Sequence, residues 1–459
     1  MTMPRRVLRR SGAALWTIVA INAAMLGTAQ ATTLYEALAA AYSSNPTLDA
    51  ARAQLRATDE GVPQVLSEWR PSVVGTAQGG HEWDEQHKPL QLGQETNPRS
   101  YGVTVTQPVF DGFHTVAGTS QAENLVEAGR AQLTSTEQQV LLAAVAAYMN
   151  VFRDAALLEL NRNNEKVLQA QLDSTQARFE VGELTKTDVA QAQSRLEGAV
   201  AARIQAEGNL TTSRAIYRQV IGDDPGDVKM PETTLQLPSS REEAAALSQG
   251  APDVRTAQFQ ERAAKDNIDV QFSDLLPSVS IEGSYQRQQD LGTRDSEEDV
   301  GSVIGQVTIP LYQAGAPDSR VRQSKQQYMQ AKRNTDQSLR AAEREAVNSW
   351  TDLQTVIAQT RSFEEQVKAT EIALEGVRQE QEVGARTILD VLDAQQEVLN
   401  AQVSLVSSQT DHIVAQFRLL ASGGGLTAQS LGLNVNYYDP KQHYDAVRNK
   451  FIGTGPAVQ

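Results

Sequence analysis

An internal duplication limits the folds that are open to this chain. Residues 181–193, VGELTKTDVAQAQ, match residues 383–395, VGARTILDVLDAQ, at seven of thirteen positions with an offset of 202. Pro108 and Pro310 are separated by the same offset. Landmarks that recur in one order at a nearly constant spacing indicate a single structural unit of roughly 200 residues that is present twice.

Each copy contains more than one hundred residues without proline, between Pro108 and Pro225 and again between Pro317 and Pro440. Both stretches are rich in Ala, Gln, Glu, Leu and Arg, which predicts long helices. One helix over residues 113–180 would be about 100 Å long at 1.5 Å per residue. Such a helix cannot bury its apolar stripe on a small domain and needs parallel neighbours, from its own chain and from others.

Four segments change from helical periodicity to alternation, with apolar residues on one side and small or polar residues on the other. They are residues 72–83, 101–109, 278–285 and 302–311. Their length and alternation fit transmembrane β-strands, although a water-soluble sheet with one wet face alternates in the same way. Because the smallest membrane-spanning barrel has about eight strands, several chains would have to contribute strands to one barrel.

Aromatic residues lie near the ends of these segments, where membrane-interface aromatics would sit: Trp83, Tyr101, Tyr285 and Tyr312. The links 84–98 and 290–298 are polar and acidic, and we expect them to be surface loops. The chain is therefore predicted to alternate between long helices and a strand pair in each half.

The first 31 residues have the pattern of an export signal. Four arginines precede an apolar run from Ala13 to Leu26, and Ala29-Gln30-Ala31 supplies a cleavage site. A membrane anchor is the alternative, but the run is shorter than the roughly 20 residues that span a bilayer. We expect the mature chain to begin near Thr32, outside the cytoplasm.

The composition excludes several classes of protein. The chain has no cysteine, so an exported form must be held together by packing or by assembly. The formal net charge of −15 falls to −19 without the four signal arginines, and with no basic stripe this argues against a nucleic-acid partner. No other apolar stretch reaches the length of a membrane helix, so a membrane would have to be crossed by a β-barrel.

Enzyme motifs are weak in this sequence. His81, Asp84 and His87 could serve as metal ligands, but they lie in a polar segment with no helix to set their spacing. Gly423-Gly424-Gly425 lacks the Lys-Ser/Thr of a phosphate loop, and the mature chain has no Gly-x-Ser-x-Gly nucleophile elbow. We therefore expect no enzymatic activity and no cofactor.

The duplicated order of helix, strand pair, long helix, Val-Gly turn and helix resembles the TolC family of outer-membrane efflux and secretion channels. Residues 178–196 and 383–395 resemble the two hairpins at the periplasmic tip of these channels. The resemblance extends from Thr32 to about Gly425. It implies a mainly α-helical fold with a transmembrane β-barrel, in which long hairpins form a trimeric α-barrel and four strands per chain contribute to a shared twelve-stranded barrel.

The resemblance also implies a function and a set of partners. A homotrimer in the outer membrane lipid would extend into the periplasm, where it would bind a periplasmic adaptor protein and an inner-membrane transporter. It would export small molecules, proteins or both, because the transporter selects the cargo. The alternative from a different class is a soluble periplasmic coiled-coil adaptor or scaffold with a small β-domain.

The repeats divide the chain into four parts. We expect a signal peptide over residues 1–31, a first repeat over 32–225 and a second repeat over 226–425. The tail, residues 426–459, is polar and poorly patterned. It is expected to be partly disordered or packed on a belt around the middle of the helices.

Asp390 and Asp393 lie three residues apart at the start of the last long helix, so they share one helix face. Facing a threefold tunnel, they would form two rings of three carboxylates that attract cations. The TolC resemblance assigns the matching aspartates to the closed periplasmic entrance. The alternative is a solvated helix face, or a first turn that exploits the helix dipole.

The resemblance further implies a latch between neighbouring tip hairpins, formed here by Arg386 with Thr187 and Asp188. Gln381 replaces a tyrosine that is often part of this latch in the family. The two Val-Gly turns would form the surface on which the adaptor docks, namely Val181, Gly182, Val383 and Gly384. These four residues could equally serve as turn residues alone.

Overall fold

The computed structural model describes residues 33–84, 94–291 and 294–455. The predicted signal peptide lies outside the described residues. The helices are α1 (Leu34–Ser44), α2 (Pro46–Asp59), α3 (Gly61–Leu66), α4 (His114–Glu180), α5 (Lys186–Ile221), α6 (Arg241–Leu247), α7 (Pro252–Ser273), α8 (Ala316–Glu382), α9 (Ile388–Ser422) and α10 (Gln442–Val447). The strands are β1 (Ser72–Gly79), β2 (Glu82–Asp84), β3 (Gln94–Thr96), β4 (Arg99–Phe110), β5 (Ser278–Gln289) and β6 (Glu297–Thr308).

The two halves repeat the same hairpin. Helices α4 and α8 each have 67 residues, and both α4/α8 and α5/α9 begin 202 residues apart. The helix predicted over residues 113–180 is confirmed, at about 100 Å long. Helix α4 packs along α5, α8 packs along α9, and α7 lies against both long helices. The helices thus form two long antiparallel hairpins side by side.

The predicted strands form one antiparallel sheet in the order β1-β4-β5-β6. The adjacent polar links are shorter than expected, because β5 runs to Gln289 and β6 begins at Glu297. The expectation that residues 84–98 form only a loop is wrong at both ends. There β2 pairs with β3, with Trp83 opposite Glu95, since the hairpin continues beyond the main sheet.

The register separates the two faces of the sheet. Val73, Val105, Gly283 and Val303 lie opposite one another in one row across the four strands. The adjacent row contains Val74, Thr104, Ser284 and Ser302, and so belongs to the other, more polar face. The apolar face is exposed, with Val303 exposed by 81% and Val105 by 38%.

The largest core lies around the middle of the helices, where α1, α4 and the ends of α5 and α9 meet. Its fully buried side chains include Leu38, Leu141, Tyr148, Tyr217 and Phe417. The Tyr148 hydroxyl donates a hydrogen bond to the carbonyl oxygen of Lys229 at 2.9 Å. This core ties the segment between the two halves to the helices.

The C-terminal tail packs on the same core. Leu426, Ala428 and Leu433 are buried in it, and Val447 of α10 is also buried. The sequence pattern of the tail is irregular because its apolar residues reach the core from turns and a short helix, which have no fixed period. Arg448 of the tail forms an ion pair with Glu123 of α4 at 3.0 Å.

One stretch of α4 is long and apolar enough, by composition, to cross a membrane. The expectation that no such stretch follows the signal is therefore wrong. Half of the stretch is buried inside the protein, and α4 carries Leu141, Val145 and Met149 into the large core. Packing within the chain accounts for this apolar composition.

Candidate gate at the ends of the long hairpins

Each long hairpin turns through the same backbone conformation. Val181 and Val383 end the long helices with φ of −90° and −91°, and the following glycines are left-handed, with φ of 81° at Gly182 and 79° at Gly384. The Gly384 amide donates to the carbonyl oxygen of Gln381 at 3.0 Å, which closes the end of α8. Glycine is needed because side chains disfavour this region of backbone space.

Threonine and aspartate cap the helix that leaves each turn. Asp390 Oδ2 accepts hydrogen bonds from the Thr387 amide at 2.8 Å and the Thr387 hydroxyl at 2.7 Å. The hydroxyl in turn accepts from the Asp390 amide at 3.3 Å. Thr185 and Asp188 form the same capping box at the start of α5. The T-x-x-D pattern is present in both copies of the repeat, so the sequence carried a signal for this feature.

The capping bonds make both aspartates stronger acids. Hydrogen bonds from the side chain and backbone of Thr387 lower the pKa of Asp390, and the charge of Arg386 adds to the effect. Hydrogen bonds from the backbone and side chain of Thr185 likewise lower the pKa of Asp188. Asp390 therefore combines the first-turn role that was the alternative interpretation with a fixed negative charge at the tip.

Asp393 has a different partner, one turn further along α9. Its Oδ1 lies 2.5 Å from Nη2 of Arg195 on α5, so the ion pair joins the two hairpins. Both side chains remain partly exposed, Arg195 by 41% and Asp393 by 56%. No sequence motif pointed to Arg195, because the two residues are 198 positions apart.

An apolar contact lies beside this ion pair. Ile388 and Leu392 of α9 are 5% and 3% exposed and belong to one buried cluster with side chains of the first hairpin. Their partners on α4 and α5 include Leu168, Leu172, Ala192, Leu196 and Ala199. The start of α9 is thereby held against the first hairpin by apolar burial as well as by charge.

The predicted latch residues have partners within their own hairpins. Arg386 Nε lies 2.9 Å from Oε2 of Glu380, across the turn between α8 and α9. Asp188 accepts a hydrogen bond from the Thr185 amide, and Thr187 is exposed in the first turn of α5. Within one chain, the structure does not bring Arg386 to Thr187 or Asp188. Glu380 was not singled out from the sequence.

The two Val-Gly turns are exposed at the end of the hairpins. Val181 is 72% exposed and Val383 is 81% exposed. A side chain added at Gly182 or Gly384 would meet nothing within 4 Å, so open space surrounds both turns. Apolar side chains projecting from a turn into open space form a small surface that a partner could cover.

Of the candidate metal ligands, His81 lies near the sheet, far from the hairpin turns. His81 Nδ1 lies 3.0 Å from Oδ1 of Asn97, and its ring packs against Trp83. His87 lies outside the described residues. Among the residues that are described, no three His, Asp or Glu side chains cluster closely enough to suggest a metal site.

Similarity to known proteins identifies the family. The model of the family described as outer membrane efflux protein matches residues 37–223 and 245–425. The chain is 34% identical over 424 residues to the outer membrane efflux protein BepC of Brucella suis, covering 92% of this chain and 91% of BepC. It is 28% identical over 427 residues to outer membrane protein TolC of Vibrio cholerae, covering 90% and 96%.

The fold agrees with these sequence matches. The outer membrane channel CmeC of Campylobacter jejuni superposes with a TM-score of 0.77 at 16% identity, covering 91% of this chain and 89% of CmeC. The family consists of channel proteins and not of enzymes, and it places the chain in the outer membrane. This chain is a member of the outer membrane efflux protein family, to which TolC belongs.

Proposed function

We propose that three copies of this chain assemble into a channel that carries cargo from an inner-membrane transporter, through the periplasm, to the cell exterior. The observation that carries this proposal is the sheet, whose apolar face is exposed while its other face is more polar. A water-soluble sheet buries its apolar face against a core. An apolar face turned outward fits contact with lipid.

The edges of the sheet support assembly into a closed barrel. Strands β1 and β6 are the two ends of the four-stranded sheet, so each has one backbone edge without a neighbour in that sheet. In lipid, every backbone polar group must be satisfied within the protein, which requires closure. Four strands from each of three chains give twelve, a number within the range of known membrane barrels.

The hairpin ends support a gate. Around a threefold axis, Asp390 and Asp393 of three chains would form two neighbouring acidic rings in the narrow end of the tunnel. Fixed carboxylates in a constriction favour cations and bind multivalent cations more strongly than monovalent ones. The Asp390 carboxylate is held rigidly by Thr387, so its charge is preorganised.

Opening would separate α9 from the first hairpin. At the tip, the contact between the start of α9 and the first hairpin consists of a modest apolar cluster and one exposed ion pair, so a docking partner could offset its stability. An iris-like movement of α8 and α9 would then widen the entrance. We propose that Arg386 contacts Thr187 and Asp188 of a neighbouring chain, and that an adaptor docks on Val181, Gly182, Val383 and Gly384.

The transporter would select the cargo, so both small-molecule efflux and protein secretion are compatible with this channel. Deleting the gene and comparing dye efflux with the set of secreted proteins distinguishes the two. Loss of dye efflux alone assigns the channel to a multidrug pump. Loss of secreted proteins alone assigns it to a protein exporter.

The assembly and the gate are tested together with purified protein. We expect a detergent-solubilised trimer that conducts ions in planar bilayers and is blocked by hexaamminecobalt(III). Replacing Asp390 and Asp393 with Asn should relieve the block, since Asn removes the charge but keeps an acceptor for the cap. A protein that stays monomeric in buffer without detergent and does not conduct would instead support the soluble adaptor.

The latch has its own test. Arg386→Ser should raise the resting conductance and let large antibiotics enter cells, because a charged link between neighbouring hairpins is lost. Arg178→Ser is the matched control, as Arg178 pairs with Glu183 across the other turn. Equal resting conductance in Arg386→Ser and the native channel would remove Arg386 from the latch.

A further inference from the structure

The two copies of the repeat differ in charge at the end of the hairpins. Gln191 and Arg195 of α5 correspond, at the offset of 202, to Asp393 and Glu397 of α9. Asp390, Asp393 and Glu397 have i, i+3 and i+7 spacing, so α9 presents an acidic stripe along one face. The first copy carries a cation where the second copy carries one of these acids.

Arg195 is placed to act on this stripe from another hairpin. Its Nη2 lies 2.5 Å from Oδ1 of Asp393, whereas the other ion pairs that the structure describes near the tip stay within one hairpin. Arg386 pairs with Glu380, and Arg203 pairs with Glu165 at 2.5 Å and with Glu207 at 2.9 Å. In the described part of the chain, Arg195–Asp393 is the ion pair that joins α5 to α9.

The ion pair can persist only while the hairpins remain together. Leu392, next to Asp393 in sequence, is buried in the apolar cluster shared with α4 and α5. If α9 moves away from this cluster, Asp393 is carried away from Arg195 and loses its counter-ion. Closure therefore partly neutralises the acidic stripe, and separation of the hairpins restores its full charge.

We propose that Arg195 is a built-in counter-ion of Asp393 that competes with multivalent cations for this carboxylate and helps hold α9 closed on α5. The inference rests on the proposed function, because Asp393 must face the tunnel for the competition to affect conduction. Three copies of Arg195 would then weaken the binding of cations at the constriction. Arg195 is thus a specificity-determining residue beside the acidic rings.

The test compares single-channel block by hexaamminecobalt(III) in the native channel, Arg195→Gln and Arg195→Lys. Removing three positive charges near a trivalent ion should lower its half-blocking concentration about tenfold. Arg195→Gln should also raise the resting conductance, whereas Arg195→Lys keeps the charge and should retain native block. Arg203→Gln is the matched control on the same helix and should block like the native channel.

A charge exchange separates the two roles of the residue. The double variant Arg195→Asp with Asp393→Arg restores an ion pair, so its resting conductance should return toward the native value while cation block is lost. A resting conductance as high as that of Arg195→Gln would overturn the closing role. Half-blocking concentrations within about twofold of native in Arg195→Gln would overturn the counter-ion role, since the predicted charge effect is larger.

These outcomes are distinguishable from failure of the proposed function. A native channel whose block disappears in Asp393→Asn, but is unaffected by Arg195→Gln, overturns this inference alone. If the native protein forms no channel, or if substitution of Asp390 and Asp393 leaves the block unchanged, the proposed gate is overturned and this inference with it. Each variant is assayed as the detergent-stable assembly, so an unfolded variant is recognised before block is measured.

Discussion

Asp390 caps helix α9 by accepting hydrogen bonds from both the amide and the hydroxyl of Thr387, at 2.8 and 2.7 Å. The same pair recurs 202 residues earlier as Thr185 and Asp188. The proposed gate carboxylate therefore has a structural role as well as an electrostatic one. Replacing it with Ala changes both properties together, whereas changing Thr387 acts on the cap and leaves the charge in place.

Thr387→Ala should fray the first turn of α9 without removing its acidic stripe. Loss of an N-cap side chain typically increases local opening about fivefold. Hydrogen exchange of the amides of residues 388–391 measures this opening. Thr185→Ala is the matched control, and it should fray the first turn of α5 instead. Unchanged exchange at residues 388–391 would show that the Thr387 hydroxyl contributes little to the cap.

Gly384→Ala should destabilise the hairpin turn by about 1 kcal/mol, the cost of a left-handed conformation for a residue with a side chain. The added methyl group would meet nothing within 4 Å, so the effect comes from the backbone alone. Gly376→Ala, inside α8 and also in open space, should stabilise the helix by a similar amount. Thermal unfolding of the two variants should therefore shift in opposite directions.

Leu392→Ala should weaken the contact between the hairpins. Removing a buried leucine side chain costs about 2–5 kcal/mol, and Leu392 lies between α9 and the first hairpin. Resting conductance in planar bilayers should rise as a result. Leu374→Ala provides the control, because Leu374 is buried with Val391 and Val398 inside the α8–α9 hairpin. Equal conductance in both variants would argue against opening at this contact.

Glu137→Gln should stabilise the docked tail at neutral pH. Burial raises the pKa of Glu137 above its usual 4.5. A hydrogen bond from the Ala428 amide and the charge of Arg52 lower it, but the effect of burial is larger. With a raised folded-state pKa, the stabilising contribution of Glu137 is fully present below about pH 4.5 and is lost as the pH rises through the folded value. A glutamine still offers Ala428 an acceptor but carries no charge.

The measurement for Glu137 is the midpoint of thermal unfolding in detergent between pH 4 and pH 7. The native and Glu137→Gln proteins should coincide at the acidic end, and the variant should unfold at a higher temperature near neutrality. Glu159→Gln, an exposed position on the same helix, should follow the native curve throughout. If the unfolding midpoint of the native protein instead rose relative to that of Glu137→Gln as the pH increased, the charged form of Glu137 would be the stabilising one, opposite to the prediction.

The alternating segments could be located from sequence because their period depends only on which residues face one side of a strand. Val105 and Val303 lie on the apolar side of their alternating segments, and the register puts them in the same row. Sequence could not give the pairing of β2 with β3, since three-residue strands are too short to show a period. It also could not assign the tail, where Leu426 and Val447 become buried at irregular spacing.

The duplication, the long helices and the glycine turns follow from the amino-acid sequence alone, because proline placement, repeat spacing and the preference of glycine for left-handed backbone are local properties. Gly182 and Gly384 are examples, as each turn is defined by a few neighbouring residues. The pairing of Arg195 with Asp393 and of Arg386 with Glu380 could be seen only in the folded chain. These contacts depend on how the helices pack side by side. Residues far apart in sequence can form an ion pair only where that packing brings their side chains within a few ångströms of each other.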